Sequence, residues 1–335
     1  MTVGTFFARR TGRSLPWLAA LLGAVLLAGC GGGGSGNDFS PRRLVVLGDE
    51  ASVLLPGDAT NRGRKYSVNA LDPLDTSTPD ENDRIDEEPL GGPLSCGRNR
   101  IWVQIVADEF GFGFDECNPR SGVDPQRGRI YAALEARVAD IPAQIAAAEA
   151  DGAFTSRDLV TVMVGLHDII DLYDPADCAA SRSAARARGA ALKNLVDGMA
   201  DNGAGARVMY ATIADVGKTP YGRGLGNAAS SCLSQMTTEF NTGLRITGLQ
   251  NGEYIGLVVF GELVESIFDD PERFGYDNAS QPRCGVALPD CTTATLADGV
   301  DEDDRYFWAD ALRFGAEVHA RLGLEAVEIA TDNPF

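Results

Sequence analysis

Four short apolar runs along the chain alternate with longer amphipathic segments. The runs are continuous and rich in β-branched residues, which is typical of strands in a parallel sheet that is buried on both faces. The segments between them repeat their apolar residues with a helical period. Strands are predicted at residues 43–47, 158–164, 206–213 and 254–260, and helices at residues 101–110, 131–150, 181–201 and 230–249.

This alternation predicts an α/β fold, a three-layer α/β/α sandwich with a mostly parallel sheet and right-handed crossovers. In such sheets the functional crevice lies beyond the carboxyl ends of the strands. The loops at residues 48–52 and 165–168 each follow a predicted strand. We therefore expect both loops to lie at that edge of the sheet.

The first 29 residues are typical of a secretion signal. Three arginines precede an apolar run at residues 15–27, and this run ends in the sequence LLAGC. The run is too short for a convincing membrane span. Leu27–Cys30 resembles a bacterial lipobox, which implies that Cys30 becomes the acylated first residue of a mature lipoprotein. The alternative is an ordinary secretion signal that happens to end in cysteine.

A glycine-rich tether at residues 30–40 then joins the lipid to a single predicted domain at residues 41–335. Gly31 after the cysteine is more typical of outer-membrane than of inner-membrane lipoproteins. We therefore expect an exported protein that its lipid anchors at the bacterial outer membrane. The formal net charge of −19 repels nucleic acid and anionic headgroups, so we expect no nucleic-acid partner and assign membrane attachment to the lipid alone.

Six cysteines follow Cys30, and an even number in an exported chain predicts three disulfides. Six cysteines allow 15 pairings, among which we favour bonds between neighbours along the chain. The favoured pairs are Cys96–Cys117, Cys178–Cys232 and Cys284–Cys291.

With two histidines and no CxxC pair, the chain is expected to hold neither a metal nor a cofactor. Acidic segments at residues 72–88 and 298–304 lack EF-hand spacing and are interpreted as solvated loops.

Three blocks of sequence together resemble the SGNH, or GDSL, family of ester hydrolases. The sequence VVLGDEAS is similar to the first block of the family, which usually reads close to VVFGDSLSD. LVTVMVGLHDII is similar to a block that usually ends in GxND, and YFWADALRFGAEVHARLG to one that reads FxDxxHPTxxxH. Any one block is a weak signal, but the three occur in the family's order across nearly the whole predicted domain.

The resemblance implies a defined set of chemical roles. In active members a serine after Gly-Asp attacks the ester carbonyl, a histidine three residues beyond an aspartate removes its proton, and the aspartate orients that histidine. The backbone N–H of the serine, a glycine and the asparagine of GxND bind the oxyanion. Three of these positions are substituted here: Glu50 stands at the serine position, Arg313 at the histidine position and His167 at the asparagine position. Asp310 is retained as the orienting aspartate.

The remaining matches are weaker. Asp168 matches the aspartate of GxND, and Gly128 is the candidate for the oxyanion glycine, with Gly122 as the alternative. Ser52 matches a second serine, about 6–7 Å from the point of attack in an extended turn. His319 matches a second, peripheral histidine, and an axial rise of about 13 Å on a predicted helix would separate it from Asp310.

These substitutions remove the standard esterase mechanism. Glu50 has no hydroxyl to attack with, and Arg313 stays protonated near neutral pH and cannot act as a general base. We predict that Glu50 and Arg313 form an ion pair with Asp310 as a second carboxylate, in a degenerate hydrolase that binds an acyl chain or a glycan. The alternative is an active ester hydrolase in which Glu50 orients His167, and His167 activates a water molecule directly.

Overall fold

The structure is a computed structural model, and it describes one compact unit of the chain within Phe39–Phe335. Cys30 and Gly122 lie outside the described residues, as does most of the acidic segment at 72–88. The described ranges are 39–56, 63–73, 90–117, 127–201, 205–246 and 252–331.

A five-stranded parallel sheet forms the centre of this unit, and six further strands of the described residues pair into three two-stranded sheets. The central sheet has the order β6-β1-β7-β8-β9. After β1, the next strand of this sheet along the chain is β6, which pairs with one edge of β1. The following one is β7, which pairs with the opposite edge. The strands are β1 (Arg43–Gly48), β2 (Leu54–Leu55), β3 (Arg64–Lys65), β4 (Ala70–Pro73), β5 (Leu90–Ser95), β6 (Gly128–Ile130), β7 (Asp158–Met163), β8 (Arg207–Ala211), β9 (Ile255–Val258), β10 (Asn278–Pro282) and β11 (Tyr306–Trp308).

Helices cover both faces of the sheet, so the predicted three-layer α/β architecture is confirmed. Alternate residues of β1 show why: Leu44 and Val46 pack into one apolar core, whereas Val45 and Leu47 pack into the other. The helices are α1 (Trp102–Glu109), α2 (Ile141–Ala150), α3 (Leu166–Leu172), α4 (Cys178–Asp201), α5 (Pro220–Gly224), α6 (Asn227–Ile246), α7 (Phe260–Asp269) and α8 (Ala316–Thr331). Buried residues of α1, α7 and α8 build the first core, and those of α2, α4 and α6 build the second.

All four predicted strands are present, with ends that differ by at most two residues from the prediction. One predicted helix is wrong over half its length. Residues 131–140 form a loop and a short 3-10 turn, and α2 starts only at Ile141. Pro142 explains the start, because a proline ring one turn inside a helix would clash with the carbonyl of residue 138. Of the other described elements, α8 had only a partial predicted counterpart; those with none are β6, α3, α5, α7 and the six strands outside the central sheet.

The three favoured disulfides are present: Cys96–Cys117, Cys178–Cys232 and Cys284–Cys291. The second of these joins α4 to α6, two long helices that pack along each other. Within the described ranges, no group of three or more histidine, cysteine or acidic side chains is placed to hold a metal ion. In the same ranges, none of the helices has the length and apolar composition needed to cross a bilayer.

Candidate functional site

The turn after β1 directs Glu50 into the crevice at the carboxyl edge of the sheet. This is a topological switch point, because the chain continues to opposite sides of β1. Gly48 has φ +132°, and a Cβ there would lie 2.0 Å from the carbonyl oxygen of Met163. Asp49 caps the following 3-10 turn by accepting a hydrogen bond from the Ala51 N–H at 3.1 Å. A side chain at position 48 would therefore clash with the backbone of β7, and the turn directs the side chain of Glu50 into the crevice.

The carboxylate of Glu50 lies at the centre of a hydrogen-bonded network and is 1% exposed. Its Oε1 accepts from the Nε of Arg313 at 2.9 Å and contacts the Nε2 of His167 at 2.8 Å. Its Oε2 accepts from the backbone N–H of Glu135 at 2.9 Å. Because an ionised carboxylate can only accept, Nε2 of His167 carries the proton in this contact.

Arg313 is held by a second carboxylate, in a tight turn before α8. Asp310 Oδ1 accepts the backbone N–H groups of Leu312 and Arg313 at 2.8 and 2.7 Å. Asp310 Oδ2 accepts from Nη1 of Arg313 at 2.9 Å. The guanidinium carbon also lies 5.8 Å from the centroid of the Tyr66 ring, within range of a cation–π contact. The structure therefore brings Glu50, Arg313 and Asp310 into one triad of charges.

Burial and charge together fix the protonation of Glu50 and Arg313. Burial raises the pKa of Glu50, but the hydrogen bond and attraction of His167, with the charge of Arg313, outweigh it and lower the pKa to about 2. Burial lowers the pKa of Arg313, but the charges of Glu50 and Asp310 outweigh that effect and raise it. Burial, and then the charge of Glu50, raise the pKa of Asp49 well above its usual value. Near neutral pH, Glu50 and Arg313 therefore form a true ion pair.

Gly128 does not lie at the site, so its assignment as the oxyanion glycine is wrong. It pairs with Leu44 near the start of β1, about 13 Å along the strand from Gly48. A Cβ on Gly128 would lie 2.5 Å from the ring of Phe114, so packing explains the glycine. The backbone N–H that reaches the site belongs to Glu135, which has φ +55°. A left-handed conformation in a non-glycine residue gives no sequence signal, and the predicted helix over 131–150 concealed it.

Asp168 supports the site without contacting Glu50. Its Oδ2 accepts from the backbone N–H of Val138 at 2.9 Å, and its Oδ1 pairs with Nε of Arg188 at 3.2 Å. The first of these bonds holds the loop that presents the Glu135 N–H. Ser52 points elsewhere, since its hydroxyl oxygen accepts from Nε1 of Trp102 at 3.1 Å.

His319 lies closer to the site than the predicted axial rise of about 13 Å from Asp310 implied. The segment between Asp310 and α8 is a folded-back turn, closed by a bridge between Trp308 and Phe314, and the helix begins only at Ala316. The rise per residue of a helix therefore does not apply between residues 310 and 315. The ring of His319 lines a cavity of about 30 Å³ that Glu50 and Arg313 also line.

The chain is similar to solved ester hydrolases at low sequence identity. A member of the lipolytic protein G-D-S-L family from Veillonella parvula has 10% identity and a TM-score of 0.38, over 85% of this chain and 96% of that chain. An acetylxylan esterase from Geobacillus stearothermophilus has 11% identity and a TM-score of 0.38, over 88% and 96%. A carbohydrate acetylesterase from Sinorhizobium meliloti has 15% identity and a TM-score of 0.35, over 86% and 96%.

In sequence, no family model and no curated protein matches the chain. The chain is an α/β protein with a central parallel sheet, and it resembles the SGNH/GDSL ester hydrolases in its motifs, in which Glu50 and Arg313 match the positions of a serine and a histidine.

Proposed function

We propose that this protein is an esterase-like domain that has lost ester hydrolysis and has kept its cleft for binding. One observation carries the proposal: the Glu50 carboxylate accepts hydrogen bonds from His167, from the Glu135 N–H and from Arg313. The resemblance assigns the place of His167 to a donor for the substrate oxyanion and the place of Arg313 to the general base. Glu50 therefore fills the space in which an ester carbonyl would be activated.

The chemistry of Glu50 supports the loss of catalysis. A carboxylate that attacked an ester would form a mixed anhydride, which is more reactive than the ester it came from. Its lowered pKa and its ion pair with Arg313 make it a weak base and a poor nucleophile. Arg313 cannot remove a proton from a hydroxyl or a water molecule.

Two places near the site could hold a ligand. The cavity of about 30 Å³ beside Glu50 is small enough that only a short acyl group would fit. A more open groove of about 530 Å³ runs along the loop that carries Glu135, and Tyr131, Leu134 and Arg137 are among the residues that line it. Its volume is in the range of typical small-molecule sites, which supports a glycan as the larger of the two proposed ligands.

The contact between His167 and Glu50 is the observation that favours the alternative, a hydrolase that activates water. A histidine oriented by a carboxylate is the usual form of a general base. Here Nε2 faces Glu50, so only Nδ1 could accept a proton from water. Arg313 donates a hydrogen bond to the same carboxylate oxygen, which weakens the electrostatic attraction between Glu50 and the imidazole. The alternative is therefore the less supported of the two.

Ester hydrolysis by the natural protein is the discriminating measurement. We expect no turnover of p-nitrophenyl acetate or butyrate above the uncatalysed rate, and no change in the variant His167→Ala. Turnover that His167→Ala abolishes would instead establish the water mechanism and exclude the proposal.

We also propose that Cys30 carries the lipid that holds the protein at the outer membrane. The lipobox-like sequence and the glycine-rich tether support this attachment. Since one acyl chain binds a bilayer only reversibly, the multiple acylation of a bacterial lipoprotein would be needed for stable anchoring. When the gene is expressed in a Gram-negative bacterium, the natural protein should sediment with outer membranes and incorporate labelled palmitate. Cys30→Ser should incorporate none, and equal labelling of both proteins would contradict the proposal.

A further inference from the structure

The cavity beside Glu50 is small, mostly apolar and open towards the surface. Its volume is about 30 Å³, and Met163 and Trp308 are among the residues that line it. On the same measure a single water molecule needs about 10–15 Å³, so the cavity holds a group of only a few heavy atoms. The lining also includes Leu166 and Leu312, which are half-buried. A small group can therefore enter while the rest of a larger ligand stays outside.

Asp49 presents to this cavity a carboxyl oxygen that no other group uses. Its Oδ1 accepts from the Ala51 N–H at 3.1 Å, whereas its Oδ2 has no hydrogen-bond partner in the described part of the chain. Oδ2 is nevertheless accessible to a water-sized group, unlike the unpartnered Nδ1 of His319. Asp49 lines the cavity and is only 3% exposed, so this access to Oδ2 is through the cavity.

The surroundings of Asp49 favour the protonated form of its carboxyl group. Burial, and then the negative charge of Glu50, raise its pKa well above the usual value and outweigh the Ala51 N–H and the charge of Arg313. The charge of Asp168 also raises this pKa. Because Oδ1 accepts from a backbone N–H, the proton lies on Oδ2. The cavity therefore contains a neutral O–H donor.

Three other donors beside the cavity already serve Glu50. Nε2 of His167, Nε of Arg313 and the Glu135 N–H all bond to its carboxylate. A carbonyl group that enters the cavity finds these three donors occupied. The O–H of Asp49 is in contrast still available to it.

We propose that Asp49 donates a hydrogen bond to the carbonyl oxygen of a short uncharged acyl group in this cavity. A carbonyl group has no proton of its own that needs an acceptor, so it suits a neutral donor among apolar side chains better than an alcohol does. A carboxylate ligand is disfavoured, because Arg313 already pairs with both Glu50 and Asp310.

The inference rests on the proposed function, since Glu50 supplies the charge next to Asp49 and occupies the other donors. It adds the residue that recognises the acyl group and the part of that group which is recognised. A single neutral donor binds a carbonyl oxygen without the charge that would activate it. The acyl group is therefore held and not hydrolysed.

Three small molecules of equal heavy-atom count test this selectivity. Acetone carries the carbonyl group, 2-propanol has a hydroxyl group in its place, and acetate is the charged analogue. In protein with 13C-labelled methionine methyl groups, acetone should shift the Met163 signal saturably, with a midpoint on the order of 10 mM. Met199, in the core on the other face of the sheet, is the internal reference. At about pH 5.5, where a free aspartate is ionised, 2-propanol and acetate should bind at least about tenfold more weakly.

Substitutions at position 49 test the donor. Asp49→Leu removes the O–H and should weaken acetone binding at least about tenfold. Asp49→Asn should restore most of this binding, because its amide oxygen can accept from the Ala51 N–H while its NH2 group donates into the cavity. Ala214→Leu should abolish the shift by filling the cavity. Leu324→Ala, at a position of α8 that is 64% exposed, should leave the midpoint unchanged.

The near-ultraviolet circular dichroism of each variant shows that it has folded. Equal midpoints for acetone and 2-propanol would mean that no donor selects the carbonyl group, and the proposal would be wrong. Unchanged acetone binding in Asp49→Leu would exclude Asp49 as the partner. Loss of binding in a folded Asp49→Asn would show that a charge acts there instead of an O–H, which also overturns the proposal.

The outcome can be separated from that of the ester assay. Ester turnover together with acetone binding that depends on Asp49 would refute the loss of hydrolysis and leave the role of Asp49 standing. Absence of both turnover and acetone binding would refute the role of Asp49 alone.

Discussion

The triple variant Glu50→Ser, His167→Asn, Arg313→His is expected to hydrolyse short p-nitrophenyl esters at least about 10³-fold faster than the natural protein. The scaffold for this gain is present. Asp310 already bonds to the side chain at position 313 and would orient a histidine there. Removal of the Glu50 carboxylate would free the Glu135 N–H to bind the oxyanion. Initial rates with p-nitrophenyl acetate, compared with the natural protein, measure the effect.

Two controls show whether a restored triad causes the gain. Glu50→Ser alone should stay inactive, because Arg313 remains protonated and cannot activate the new hydroxyl. Adding Asp310→Asn to the triple variant should remove most of the restored rate, by a factor on the order of 10³–10⁴, because the histidine would lose its orienting carboxylate. Activity in the triple variant that is independent of Asp310 would show that the mechanism is not the one inferred.

Arg313→Met is expected to lower the free energy of unfolding by about 3 kcal/mol at neutral pH. The reason is that Glu50, at 1% exposure, would be left with a buried charge and only His167 and one backbone N–H to stabilise it. The double variant Glu50→Gln, Arg313→Met should recover much of the loss, because no buried charge remains. Urea unfolding followed by circular dichroism gives the free energies.

The matched control is Arg137→Met, because Arg137 pairs with Asp171 at a position where the two side chains are 38% and 48% exposed. Breaking this exposed pair should cost less than about 1 kcal/mol. Equal losses in Arg137→Met and Arg313→Met would mean that the buried pair contributes no more than a surface pair, and the inferred role of Arg313 would be wrong.

Low pH should remove the contribution of Glu50. Its pKa in the folded protein is about 2, against 4.5 for the free side chain, so its stabilising contribution is complete above about pH 4.5 and is lost as the pH falls towards 2. This difference corresponds to about 3 kcal/mol. The raised pKa of Asp49 acts in the opposite direction above about pH 4, so the natural protein and Glu50→Gln are best compared below that pH. The natural protein should lose stability more steeply than the variant in that range.

Much of the fold was predictable because local patterns decide it. The four continuous apolar runs became the four longest strands of the central sheet, since a strand buried on both faces must be apolar at every position. The long amphipathic helices α4 and α6 were also predicted, as was the disulfide Cys178–Cys232 between them. The failures lie where local pattern and tertiary constraint disagree. The pattern of residues 131–140 predicts a helix, but these residues form a loop that brings the Glu135 N–H to Glu50.

At the site, the sequence by itself determined which side chains are present. Its resemblance matches Glu50 and Arg313 to the serine and histidine positions, and the proposed loss of nucleophile and base rests on this match, because side-chain chemistry does not depend on the fold. Only the tertiary structure decided what replaces that chemistry. Contacts between residues 85, 117 and 263 positions apart converge on one carboxylate, and no periodic pattern encodes such distances. The left-handed backbone at Glu135 and the turn that brings His319 into the cavity likewise depend on packing between distant segments.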